Sequence, residues 1–399
     1  MRDEVDHAAA RRAQRTLLTA QAVSEAGDFV GLAALVLLAY GRSGSVIGAA
    51  AVFAVKAIPA LLVGTVWGTL LDRPERRAGL VALALVGAVI VGGVAAWPSL
   101  ALALVGSALL QAARTSSISI TAGTVVDLIP SAERGRFFTR SNVIGRSATV
   151  LGFMLGATGT TAIGARPALA FDAATFLVAA LLLTRLPRVP PRARERRPSP
   201  LAGITTILQQ PVLRLVSPVI WVGVLGGMLP ETLAPLVAHG AVPIAIVMAA
   251  MPAGSLAASL VVRRIGVLDA VHRQLVAAAL FGASFLVGAL TLWLHTGWGG
   301  IAAANVLVGA TSIWVIGART TFALRTPPER MSQVEATIVS SITLSECAGA
   351  LLLASIALAS AGLSYALAGA FSVTIALAAL RRERRLPIAA AAESPAAAG

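Results

Sequence analysis

Between residues 17 and 380 the sequence is a succession of apolar stretches separated by short connections that carry arginine. About 20 apolar residues in a helix cross the hydrocarbon of a bilayer. Backbone groups in hydrocarbon find no water to bond, so stretches of this kind are confined to helix. Candidates lie at 17–40, 45–71, 79–97, 99–127, 142–163 and 167–184, then at 213–237, 241–262, 274–295, 298–322, 334–360 and 363–380. One connection is longer than the rest: "RLPRVPPRARERRPSP", 185–200, is rich in proline and arginine and divides the spans six and six. The expectation is an all-α membrane protein of 12 transmembrane helices in two six-helix halves. An N-terminal tail covers 1–16, one half 17–184, a linker 185–212, the other half 213–380, and a disordered tail 381–399. In the linker, "LAGITTILQQPVLR" reads as a short helix lying on the membrane surface.

Composition agrees with this reading. The chain is 57% hydrophobic and 13% charged, with a mean hydropathy of +0.83. A water-facing domain normally carries about a quarter charged residues. The formal charge of +14 would suit a nucleic-acid partner on a folded basic face. Here the arginines instead sit in clusters between apolar stretches, so no nucleic acid is expected. Cys347 is the only cysteine, and His7, His239, His272 and His295 lack ligand spacing, so neither a disulfide nor a metal site is expected. No phosphate-binding Gly-x-x-x-x-Gly-Lys-Ser/Thr loop occurs, and the one lysine, Lys56, falls inside a span. Nothing points to an enzyme or a cofactor. The charged start "MRDEVDHAAARRAQR" has no apolar core of a signal peptide and reads as a tail.

Loop charges predict the orientation. One set of connections holds Arg73, Arg76 and Arg77, then Arg134, Arg136 and Arg140, the six linker arginines, Arg263, Arg264 and Arg273, and Arg325 and Arg330. Both termini join that side through Arg11, Arg12 and Arg15 and through Arg381, Arg382, Arg384 and Arg385. The alternate connections hold only Arg42 and Arg166. Positive residues mark the cytoplasmic side, which puts both termini in the cytoplasm. The halves also echo one another: "AIPALLVGTVWGTLLDRPERR" and "AMPAGSLAASLVVRRIG" align Pro59 with Pro252, as a duplication would.

Two short patterns carry chemistry of their own. "GTLLDRPERR" closes the second span with Gly68, Asp72, Arg73, Arg76 and Arg77. An aspartate among arginines at a helix end suits a charge-assisted latch. In span five, Gly145, Gly152 and Gly156 lie at spacings that leave a helix face bare for close packing. Together these patterns resemble the major facilitator superfamily. Its signature after span two reads Gly-x-Leu-x-Asp-Arg-x-x-Arg-Arg/Lys, met here by Gly68, Leu70, Asp72, Arg73, Arg76 and Arg77. Its exporters carry a span-five glycine pattern that Gly152 and Gly156 fit. Gly145 comes two residues late for it, Ala157 replaces the expected proline and Gly159 is one residue early. "FDAATFLVAALLL" and "AERGRFFTRSN" resemble the branch of macrolide-type drug and siderophore exporters.

Ionisable groups within spans are costly and so are functional candidates. Glu25 and Asp28 in "SEAGDF" share one face of span one, and Arg114 lies inside span four. The resemblance implies that acids in span one and an arginine in span four govern proton coupling, with Asp28 or Glu25 taking the proton. Glu25 at a wet helix edge is the plain alternative. Glu346 in span eleven is a cavity candidate or a structural hydrogen-bond partner. Lys56 is a partner for a carboxylate such as Asp28, or structural. Asp172 and Glu231, close to outer ends, are expected to be wet or structural, and Arg146 and Arg319 to be anchors that reach towards the cytoplasm. The combined expectation is a monomeric secondary transporter in a bacterial plasma membrane, exporting a small amphiphilic molecule by alternating access and driven by protons. A nutrient importer of the same fold and a membrane receptor or assembly partner without transport are the rivals.

Overall fold

The computed structural model describes residues 2–60, 75–188, 202–265, 270–326 and 330–385. Helix dominates them, and no strand occurs among them. The chain divides into two compact units: Met1–Arg197 with His239–Ala249, and Pro198–Ala238 with Ala250–Gly399.

The first unit contains α1 (Arg2–Ser43), α2 (Val46–Ala54), α3 (Arg76–Ala96), α4 (Leu100–Leu128), α5 (Ser131–Ile163) and α6 (Ala165–Leu183). The second contains α7 (Ala202–Gln209), α8 (Pro211–Gly223), α9 (Leu229–Val237), α11 (Val271–Trp293), α12 (Gly297–Thr311), α13 (Trp314–Arg325), α14 (Met331–Ala357) and α15 (Ala361–Glu383). Helix α10 (Ala241–Ile265) runs through the division. Nine helices or helix pairs among the described residues are long and apolar enough to cross a membrane. Spans four and five of the sequence reading are the unbroken helices α4 and α5, of 29 and 33 residues. Span two is described only as far as residue 60.

Several boundaries differ from those the hydropathy implies. Helix α1 begins at Arg2, so the charged tail is the start of the first span's own helix. Helix α5 begins at Ser131, eleven residues before the apolar stretch at 142. Charged side chains do not disfavour helix; they only disfavour hydrocarbon, so an apolar boundary marks the membrane and not the helix end. Span seven is discontinuous: α8 gives way to a 3₁₀ turn, Val224–Gly226, before α9. Gly223, Gly226 and Gly227 fall at the break and Pro230 opens α9, residues that weaken or end a helix. Span ten is likewise split at Ser312 and Ile313 into α12 and α13.

Packing within the first unit centres on α1, which lies against both α5 and α6, while α3 lies between α4 and α6. One end is knit by Ala13, Leu17, Leu80, Ile120, Phe137 and Leu183, drawn from five helices and all under a tenth exposed. The opposite faces of these helices stay apolar and exposed: Val89 is 75% exposed, Leu155 59% and Leu181 63%. A surface of that kind suits lipid and not water. The second unit is knit by aromatic rings. Phe281 meets Phe285 at 5.1 Å and Trp314 at 6.0 Å, and Phe285 meets Tyr365 at 5.9 Å. Four rings thus form one buried cluster in this unit.

The span-five glycines form a seam between α5 and α1. A Cβ on Gly152 would stand 2.6 Å from Cβ of Phe29 and 2.7 Å from the Ala26 carbonyl oxygen. On Gly156 it would stand 2.6 Å from both Cα and the carbonyl oxygen of Val30, and on Gly145 2.5 Å from Glu25 Oε2. Gly159 has open space instead. Gly156→Ala is therefore expected to destabilise the unit by about 1–3 kcal/mol, since backbone cannot yield as a flexible side chain does. Gly159→Ala should leave stability unchanged. Thermal unfolding of the purified variants in detergent checks the pair, and equal melting points would refute the seam.

Candidate functional site

The polar centre of the first unit joins α1 to α4. Helical spacing places Glu25 and Asp28 on one side of α1, and α4 brings Arg114 to it. Arg114 Nη1 donates to Asp28 Oδ2 at 3.2 Å. The guanidinium also lies over the Phe29 ring, 5.5 Å from its centroid, and Phe29 in turn packs on Phe153 of α5 at 5.2 Å. The Arg114 side chain keeps 39% of its surface exposed and that of Asp28 20%, so the pair is open on one side. An ion pair held by an aromatic face yet reachable from outside is able to exchange partners.

Glu25 belongs to the edge of this centre. Gln21 Nε2 donates to Glu25 Oε1 at 3.2 Å and to the Ser141 carbonyl at 3.2 Å, while Ser141 Oγ donates back to Gln21 Oε1 at 2.7 Å. Glu25 is thereby linked to α5 at the seam that Gly145 opens. Lys56 sits over the Phe53 ring at 5.2 Å and lies within electrostatic range of Asp28. The salt bridge to Asp28 is nevertheless made by Arg114.

Two acids take positions that sequence reasoning underrated. Of the two expectations for Asp172 and Glu231, burial removes the water-facing one. Asp172 on α6 is 1% exposed and faces α1, and its Oδ1 has no hydrogen-bond partner. Glu231, in the first turn of α9 after the break in span seven, is 5% exposed, and its Oε2 has no partner either. Glu346 on α14 lies near the same break, since a Cβ on Gly227 would come 3.7 Å from its Oε1, and it is in electrostatic range of Glu231. Beside them Tyr365 Oη donates to Asn305 Oδ1 at 3.0 Å, both residues wholly buried. The available signal was an acid amid small residues in an apolar run, "FDAATF" and "LPETLAP". Proximity to a span end obscured it, because burial there depends on neighbouring helices.

At the loop motif, Gly68, Asp72 and Arg73 lie outside the described residues. Arg76 and Arg77 lie within them and are engaged. Arg76 Nε contacts Asp127 Oδ2 at 2.7 Å, an aspartate on the last turns of α4 with a side chain only 3% exposed. Gly123, one turn earlier, leaves room for the guanidinium, since a Cβ there would overlap Arg76 Nη1. Arg77 Nη1 donates to the Leu186 carbonyl at 3.2 Å. Asp127 escaped the sequence reading because its partner is fifty-one positions away in a neighbouring helix. Arg319, expected as an anchor, pairs with Glu335 of α14. Among the described residues no group of acids, histidines or cysteines is arranged to hold a metal ion.

The Arg76–Asp127 contact has a direct test. Asp127→Ala is expected to cost about 3 kcal/mol by leaving a partly buried arginine without its carboxylate. The double variant Arg76→Ala/Asp127→Ala should lose less than the sum of the single changes, and denaturant unfolding of the four proteins measures that difference. Strict additivity would remove the contact as a stabilising pair.

No curated relative matches the sequence. Solved structures align over nearly the whole chain despite low identity. An auto-inhibited POT family peptide transporter is 14% identical with a TM-score of 0.72, covering 94% of this chain and 97% of its own. The nucleoside transporter NupG is 12% identical with a TM-score of 0.69, covering 93% and 99%. The human organic anion transporter MFSD10 (TETRAN) is 17% identical with a TM-score of 0.64, covering 93% and 99%. At such identities the likeness speaks for the fold alone. The sequence itself matches the Major Facilitator Superfamily over residues 17–350. With that match spanning most of its length, the chain belongs to the Major Facilitator Superfamily.

Proposed function

We propose that this protein is a proton-coupled secondary transporter that exports a small amphiphilic compound, of the drug, antibiotic or siderophore kind, by alternating access. The observation that carries the reading is the Asp28–Arg114 pair, an ion pair inside membrane-spanning helices that is open on one side. Charges are expensive to keep within hydrocarbon, and a partly accessible pair is a natural place for a proton to act. In the proposed cycle a proton from outside binds the Asp28 carboxylate and neutralises it. Arg114 is then released from its partner, and the balance between the two conformations changes. Release of that proton to the cytoplasm restores the pair. Glu25, hydrogen-bonded to Gln21, is the second acid in reach of this centre.

Export is favoured over import by the glycine seam between α5 and α1, which carries the part of the exporter pattern that this sequence keeps. The low aromatic content, 5%, also fits poorly with a cavity built to stack sugars. The solved relatives carry peptides, nucleosides and organic anions by their names, a range that suits a scaffold adapted to varied cargo. Glu231 and Glu346 near the break in span seven are the candidates for contact with a cationic part of the cargo.

Resistance profiling of a host with and without the protein, followed by transport into inverted vesicles under an imposed pH gradient, tests the reading. Protection against a subset of amphiphilic compounds and gradient-driven uptake into inverted vesicles are expected. Uptake into right-side-out vesicles would favour a nutrient importer, and indifference to every compound and gradient would favour a receptor. A second test concerns the pair. Asp28→Asn and Arg114→Ala are each expected to reduce gradient-driven transport by about 5- to 150-fold, the range of a coupling energy of about 1–3 kcal/mol. Unaltered proton-driven transport in a double neutral variant of Glu25 and Asp28 would exclude both acids as the coupling group.

A further inference from the structure

Asp172 is an acid buried in the first unit. The residue is 1% exposed, and its carboxyl group fits a notch in α1 at Gly27 and Gly31. A Cβ on Gly31 would lie 1.9 Å from Oδ2, so glycine there leaves space for the carboxyl group, while a Cβ on Gly27 would lie 1.8 Å from Thr175 Oγ1 and 2.9 Å from Asp172 Oδ1. Asp28 lies three residues before Gly31 and is its neighbour on the surface of α1.

No cation serves Asp172. Oδ1 lacks a hydrogen-bond partner, and among the described residues no arginine or lysine forms an ion pair with it. Helix α3 has no ionisable side chain beyond Arg77, and α5 has none beyond Arg146. Helix α1 offers Glu25 and Asp28, and Arg114 of α4 is spent on Asp28. Arg166 at the start of α6 donates to the Ala95 and Ala96 carbonyls. Lys56 is in electrostatic range of Asp28, whereas Asp28 is the charged group that acts on Asp172. An ionised Asp172 would thus be both stripped of water and opposed by a like charge, with only the neutral Thr175 hydroxyl, and no cation, to set against those costs. The neutral acid is the form this notch accommodates.

We propose that Asp172 is a proton-binding site of the transporter, a carboxyl group that carries a proton while Asp28 is ionised and held by Arg114. It rests on the reading of the Asp28–Arg114 pair as the coupling centre and adds the group that keeps a proton beside it. The two carboxyl groups have one guanidinium between them, and Arg114 keeps Asp28 ionised. With Arg114 on Asp28, the proton is on Asp172. When a second proton neutralises Asp28 and Arg114 leaves, both acids are protonated, and the two titrate as a coupled dyad. No bond other than O–H is made or broken, and the proton comes from and returns to the aqueous phases that the gradient separates.

Infrared difference spectroscopy of the full chain in liposomes tests this, with the proton itself as probe. Carboxylic C=O absorption of a protonated buried acid is expected at neutral pH in the natural protein. Asp172→Asn should abolish the aspartate band, and Asp172→Glu should move it. Labelling aspartate with ¹³C separates it from Glu231, and this arm works on the natural chain should Asp172→Asn not fold. Asp28→Asn should keep the band but change the pH at which it titrates by about one unit or more, the mark of coupled sites. A labelled band that survives Asp172→Asn, the absence of any aspartate band at neutral pH, or a titration indifferent to Asp28→Asn would overturn the proposal. The spectra require no cargo. A normal Asp172 band in a protein without proton-driven transport would therefore sink the transport reading and leave the protonated acid standing.

Discussion

A backbone amide in hydrocarbon has one place to put its hydrogen bond, and that is its own helix. This condition explains why long helices make up almost all of the described chain, and why connections such as that at Gly164 between α5 and α6 are so short. It also sets the terms for interruptions. Where spans seven and ten break, polar backbone is exposed to its surroundings, and the breaks occur inside the second unit beside buried side chains such as Trp314. A break is tolerated only where protein or a polar cavity covers it.

Charge within such helices follows from the same lack of water. Several acids of the first unit have the cost of that charge met by a partner. Asp28 is met by an arginine, Asp127 by another arginine at a helix end, and Glu25 by an amide that also links α1 to α5. Asp172 has none of these, and is accommodated by glycines. Small residues therefore have two uses here. At the α1–α5 seam they let helices approach, and at the α1–α6 contact they let a carboxyl group be buried where a Cβ would collide.

How far the candidate centre was legible differs residue by residue. Glu25 and Asp28 were found because helical periodicity is a local property, and Arg114 because an arginine within an apolar run has few innocent explanations. Lys56 was a second, weaker candidate as partner for Asp28. Only the crossing and rotation of α4 against α1 brought Arg114 to it at 3.2 Å. Asp172 and Glu231 were set aside on their nearness to span ends, a measure of depth that takes no account of which face a neighbour covers. Arg76 was noticed in its motif, but its contact with Asp127 needed two helices to meet and Gly123 to make room.

The order of apolar stretches, their length and the arginines between them determined by themselves that this chain is helical and built for a bilayer, and its motifs pointed to the right superfamily. These are properties of a single helix or of short strings, and hydrocarbon acts on each span separately. Pairing of charges, burial of Asp172, the seam of Gly152 and Gly156 and the breaks in spans seven and ten were decided by tertiary structure. Each depends on how one helix is turned towards another, and that rotation is chosen by the packing of many side chains at once, over separations that no local pattern records.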